Sequence, residues 1–206
     1  MPRLTTLRKR AVDEMMREAI FEAAVSVLAE FGVEGMTMER VALAAGLAKG
    51  SLYHYFSGKQ AILELVHTKL IDSIFHQLQE IVTTERPAVE KLSLHLEQLL
   101  KHVAQNLHVF KLLYQNDVAQ GLLQASQRRC REAGSQLLAL IFRQGIEEGV
   151  FRSADPLMLT AMFQGLCRGV FDSQPELDSP QQQNQIRELI LTTFLHGIAA
   201  REYRPH

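Results

Sequence analysis

"GMTMERVALAAGLAKGSLYHYFSGKQ", residues 35–60, crowds Tyr53, His54, Tyr55 and Phe56 into four consecutive positions between Lys49 and Lys59. Rings at that density usually belong in a core, so the cations beside them need a reason. Thr37 is placed to cap a short helix through about Ala45, because its hydroxyl can accept from a free N–H of the first turn. Gly46 breaks that helix, and a second short helix spans about Lys49 to Phe56. Ala42, Gly46 and Leu52 sit where two crossing helices need a small residue, a chain reversal and an apolar anchor. The pattern is a helix-turn-helix over 37–56. Its second helix has two unlike faces. Leu52 and Phe56 form an inward ridge with Tyr55 beside it. Lys49, Gly50, Tyr53 and His54 fall on the other side in two i, i+4 pairs, with Ser51 next to them. That side offers groups able to reach phosphates or base edges in a major groove.

Lys59 adds a second sign. A cation in the first turn of a helix opposes the macrodipole, a conflict that a bound phosphate would remove. A lysine pointing into water is the plainer reading.

Working outward, Ile20, Ala23, Ala24, Val27, Leu28 and Phe31 mark an amphipathic helix ending near Gly32. Ser57 and Gln60 have capping-box spacing, and Ile62, Val66, Leu70, Ile74, Leu78 and Ile81 continue a long helix behind them. Pro87 opens a helix to about Gln105, and Val109 to Tyr114 is a short apolar piece. Gly121 to Glu148 reads as a long helix closed by Gly149. Asp155-Pro156 and Ser179-Pro180 start two last helices, about 156–171 and 181–202. With no alternating strand pattern, the fold class is all-α, with about nine helices.

The 206 residues are 47% hydrophobic and 22% charged with a net charge of −1, ordinary for a globular chain. No apolar run is long enough for a membrane span, and no secretory leader is visible. Cys130 and Cys167 form no CxxC or disulfide framework. A cytoplasmic protein is expected. Charge is uneven: Arg3, Arg8, Lys9, Arg10 and Arg17 face only Asp13 and Glu14 in the first 17 residues. This reads as a basic arm or as a solvated tail. The histidines lack HExxH or i, i+4 metal spacing, and there is neither GxSxG nor a phosphate-binding glycine loop. No enzyme activity, metal or cofactor is expected.

The span from about Arg17 to Val66, with "GMTMERVA" opening the motif and "LYHYFSGK" closing it, resembles the N-terminal domain of the tetracycline-repressor (TetR) family of transcriptional regulators. The resemblance implies three parts: a basic arm over 1–16, a DNA-binding domain over 17–66, and a ligand-binding and dimerisation bundle over 67–206. It implies that Thr37, Tyr53 and Lys59 hold backbone phosphates of double-stranded operator DNA. Lys49, Gly50 and His54 would meet base edges, with Ser51 among the contacts and Arg40 close to the groove. Ala48 departs from the pattern, since Ser or Thr often stands there as a cap. Glu39 occupies a position where some relatives touch a base, and is not expected to do so here. The arm needs no fixed structure away from DNA.

In the remainder, Gly165 and Gly169 within one helix suggest a closely approached backbone. Together with Leu189, Thr193, His196, Gly197 and Ala200 they suit the dimer interface that the resemblance implies. Packing of the two glycines inside one protomer is the alternative. Phe75, Phe110, Tyr114, Phe163 and Cys167 are candidates for lining an effector cavity, or for plain core. The expected function is a homodimeric regulator, a repressor released by a small apolar or amphipathic effector. A DNA-bound adaptor with a protein partner is the second reading.

Overall fold

Several helix boundaries follow from local chemistry at their ends. A computed structural model describes residues 2–173 and 177–196, with backbone alone for 2–7. Among the described residues there are nine helices: α1 (Pro2–Gly35), α2 (Met38–Ala44), α3 (Lys49–Tyr55), α4 (Lys59–Thr83), α5 (Ala88–Gln105), α6 (Leu107–Tyr114), α7 (Asp117–Glu147), α8 (Pro156–Asp172) and α9 (Pro180–His196). No helix among them is long and apolar enough to cross a membrane.

α1 breaks at Gly32, whose φ of 69° is the left-handed conformation that glycine tolerates. Upstream, the structure departs from the arm read over 1–16: α1 is helical from Pro2, with Arg8, Lys9 and Arg10 exposed along it. Val12 and Met15 also face solvent, 55% and 72% exposed. α7 starts at Asp117, four residues before the expected Gly121, because Asn116 supplies a cap. Its side-chain oxygen accepts from the Ala119 N–H at 3.0 Å. Asp155 caps α8 through the Leu157 N–H at 3.1 Å. At α9, the Ser179 hydroxyl oxygen accepts from the Gln182 N–H at 3.2 Å while the Gln182 side-chain oxygen accepts from the Ser179 N–H at 3.0 Å. That is a reciprocal capping box. The box expected at Ser57 and Gln60 takes another form, since α4 starts at Lys59 and Gln60 donates to Glu64 at 3.1 Å.

The chain divides into two compact units that are not consecutive halves. The first comprises 1–72 with 106–130, and the second 73–105 with 131–206. The contiguous 67–206 bundle of the sequence reading therefore surrenders α6 and the first part of α7 to the N-terminal unit. In the first unit Ile20, Leu28, Leu52, Ile62, Leu63 and Val66 share one buried cluster with Leu113, Ala119 and Leu123. His67 is buried there too. Its Nδ1 lies 3.1 Å from the Ser126 hydroxyl and its Nε2 2.9 Å from that of Tyr114.

The second unit closes around rings. Phe142, Phe163 and Phe194 meet pairwise with centroids 5.2–6.1 Å apart, and Phe151 packs 5.7 Å from Phe142. Buried Lys91 donates to the Val82 carbonyl at 2.9 Å, at the C-terminal turn of α4, and to the Gln144 side chain at 2.8 Å. A cation at that end of a helix complements its dipole.

Candidate nucleic-acid interface

Thr37 begins the site as the N-cap of α2, in extended conformation, with its hydroxyl oxygen accepting from the Arg40 N–H at 3.3 Å. α2 ends in a Schellman turn: the Leu47 N–H bonds the Ala42 carbonyl at 2.8 Å and the Gly46 N–H bonds that of Leu43 at 3.1 Å. Gly46 takes φ +67°. The turn aims α3 so that Leu52 is fully buried and Phe56 nearly so. Lys49, Gly50, Ser51, Tyr53 and His54 all lie exposed, and Tyr55 is half-buried. The division of faces matches the one expected from spacing. A Cβ added at Gly50 would meet nothing within 4 Å, so bare backbone is presented there. Ala48, the N-cap of α3, makes no side-chain capping bond.

Three candidate contacts already have partners in the protein. Arg40 stacks on Phe31, its guanidinium carbon 4.2 Å from the ring centroid, and donates to the Gly35 carbonyl. It ties α2 to the end of α1. Lys59, half-buried, reaches the Glu34 carbonyl at 3.4 Å. Lys49 forms an ion pair with Glu39 across the turn and lies 5.9 Å from the Tyr53 ring centroid. That hydrogen bond holds the Glu39 carboxyl below the usual carboxylate range and raises the Lys49 ammonium. The sequence reading set Glu39 aside; its pairing with Lys49 spans ten residues and a turn, so helical periodicity gives no sign of it.

The five residues read as effector-lining divide between the two units. Phe110 and Tyr114 stack with centroids 5.8 Å apart in the first unit. Phe75, Phe163 and Cys167 belong to the second. Phe163 is 1% exposed within the ring cluster, and burial pushes the Cys167 thiol up to about 12. An open groove of about 620 Å³ runs between α5 and the start of α9, past Leu100, Ala104, Leu177 and Arg187. None of the five lines that groove.

On α8, Gly165 and Gly169 are exposed, and among the described residues nothing lies within 4 Å of a Cβ added at either. Leu189 is 64% exposed, Thr193 half-buried and His196 exposed on α9. Gly197 and Ala200 lie outside the described residues.

A profile of bacterial regulatory proteins of the tetR family matches residues 20–66, the span from within α1 into α4. The HTH-type transcriptional repressor KstR2 of Mycobacterium tuberculosis is 30% identical over 142 residues, 66% of this chain and 69% of the relative. The chain belongs to the TetR family of bacterial regulatory proteins. It is a DNA-binding transcriptional regulator. Among solved structures, the TetR-family fold recurs in the regulator FadR from Bacillus subtilis, in complex with stearoyl-CoA. That match has a TM-score of 0.71 at 22% identity, covering 88% of this chain and 99% of the other. SmeT in complex with triclosan superposes with a TM-score of 0.73 at 20% identity over 93% and 95%.

Proposed function

We propose that the protein is a homodimeric repressor that leaves its operator when a small apolar or amphipathic molecule binds its second unit. The observation that carries the DNA half is the exposed face of α3: Lys49, Gly50, Ser51, Tyr53 and His54 outward, Leu52 inward. A relative at 30% identity is named a repressor, and two proteins of this fold hold stearoyl-CoA and triclosan. Those ligands support an effector with a large apolar part.

Dimerisation is supported by α8. Met158 and Met162, each 59% exposed, continue into Gly165 and Gly169 at spacings of four, three and four. That stripe is apolar, exposed and lined with small residues, as a close helix–helix seam requires. One short helix reads few base pairs, and two-fold pairing doubles the site. α4 and α7 each run through both units, and we assign them the transmission of effector binding. Typical coupling of about 1–3 kcal/mol would lower operator affinity roughly 5- to 150-fold.

Duplexes selected from a random library give the test. Tyr53→Ala and Lys59→Ala should weaken all sequences alike, and Lys59→Ala should reduce the salt slope by about one. Unchanged affinity and slope in both variants would overturn the assignment of phosphate contacts.

A further inference from the structure

Glu39 is the only acidic residue between Gly35 and Lys59, and it lies exposed in the first turn of α2. Its carboxylate engages a cation that would otherwise be available to the duplex, accepting from the Lys49 ammonium. Both partners of the ion pair stay more than half exposed, 55% for Lys49 and 58% for Glu39. Such a pair adds little to folding. Its effect on DNA is larger, because affinity for any duplex depends on how many phosphates are neutralised by lysine and arginine. Lys49 is the one lysine that α3 itself offers.

We propose that Glu39 is a specificity-determining residue, which withholds Lys49 from phosphates on arbitrary DNA and releases it where a C·G base pair faces the two side chains. In the major groove that pair presents a cytosine N4 amino donor beside the guanine O6 and N7 acceptors. A carboxylate and an ammonium held side by side complement that edge: Glu39 accepts from cytosine and Lys49 donates to guanine. Elsewhere the carboxylate meets acceptors or phosphate and is repelled. Specificity is a difference of affinities, so a group that weakens the wrong complex widens it. The inference rests on the DNA-binding reading of α3.

The experiment titrates random-sequence duplex with the full chain at about 50 and about 200 mM salt, for wild type, Glu39→Gln, Lys49→Gln and the double variant. Glu39→Gln should bind random DNA more tightly and steepen the salt slope by about 0.9, so that its advantage is roughly 3-fold larger at the lower salt concentration than at the higher. In the Lys49→Gln background the gain should shrink. Selection from a random library should enrich a C·G pair at one position for wild type and lose that preference for Glu39→Gln. Equal random-DNA affinity and slope, an equal gain in both backgrounds, or a preference that survives Glu39→Gln would each overturn the proposal while leaving DNA binding intact. A wild-type chain that binds no duplex even at low salt would overturn both readings.

Discussion

In the first unit the solvent face of α3 carries a lysine, a phenol and an imidazole; in the second, the solvent face of α8 carries two methionines and two glycines. The interiors differ as well. His67 has a hydroxyl at each ring nitrogen. His95, on α5, is buried in surroundings whose desolvation pulls its imidazole down to about 4. Polar groups left outward on a short helix suit a charged polymer, and an apolar stripe left outward on a long helix suits another protein surface. The proposed function uses both: the charged face of α3 for DNA and the apolar stripe of α8 for a second copy of the chain.

The comparison breaks most visibly at α8. Because the space beyond Gly165 and Gly169 is open among the described residues, replacing both by leucine should leave the isolated fold intact. Overpacking at a dimer seam would cost about 1–3 kcal/mol per site. Sedimentation at micromolar concentration should show monomers with undiminished helical circular dichroism and weakened operator binding. A stable dimer of wild-type affinity would place the seam elsewhere.

The buried histidines give the next largest effect. Unfolded His95 takes up a proton near pH 6.5, and the folded protein resists doing so until about 4. Between those values the unfolded chain holds more protons. The stability contributed by neutral His95 is therefore complete above pH 6.5 and lost as pH falls towards 4, about 3 kcal/mol in all. Urea midpoints measured from pH 7 to 5 at fixed protein concentration should fall steeply for wild type and less so for His95→Leu. His67 is shifted in the same direction by its burial, so part of the acid dependence should survive the substitution. Parallel pH profiles would remove His95 from the account.

The smallest effect sharpens the DNA side. α3 begins without a side-chain cap at Ala48, and Ala48→Ser should add about 1 kcal/mol. Slower amide exchange along 49–55 would report the gain. No change would mean that the docking of Leu52 alone fixes the start of the helix.

What could be read from the sequence was whatever depends on neighbours three or four residues away. The Thr37 cap, the left-handed turn at Gly46, and the division of α3 between Leu52 and its exposed face all follow from local stereochemistry, and the structure shows each. Asn116 was an available cap signal that the Gly121 reading passed over. Other features depend on residues that only folding brings together. Ser126 lies 59 residues from His67, and Phe110 and Tyr114 join the N-terminal unit across a 33-residue excursion through the second. Phe163 became core rather than pocket wall because Phe142 and Phe194 arrive from other helices. The sequence alone determined an all-helical chain with one short helix of two unlike faces, since caps, turns and helical periodicity act within a few residues. Only the tertiary structure decided that Lys49 pairs with Glu39 and that the glycines of α8 face outward, because ion pairs and burial are set by distances in space.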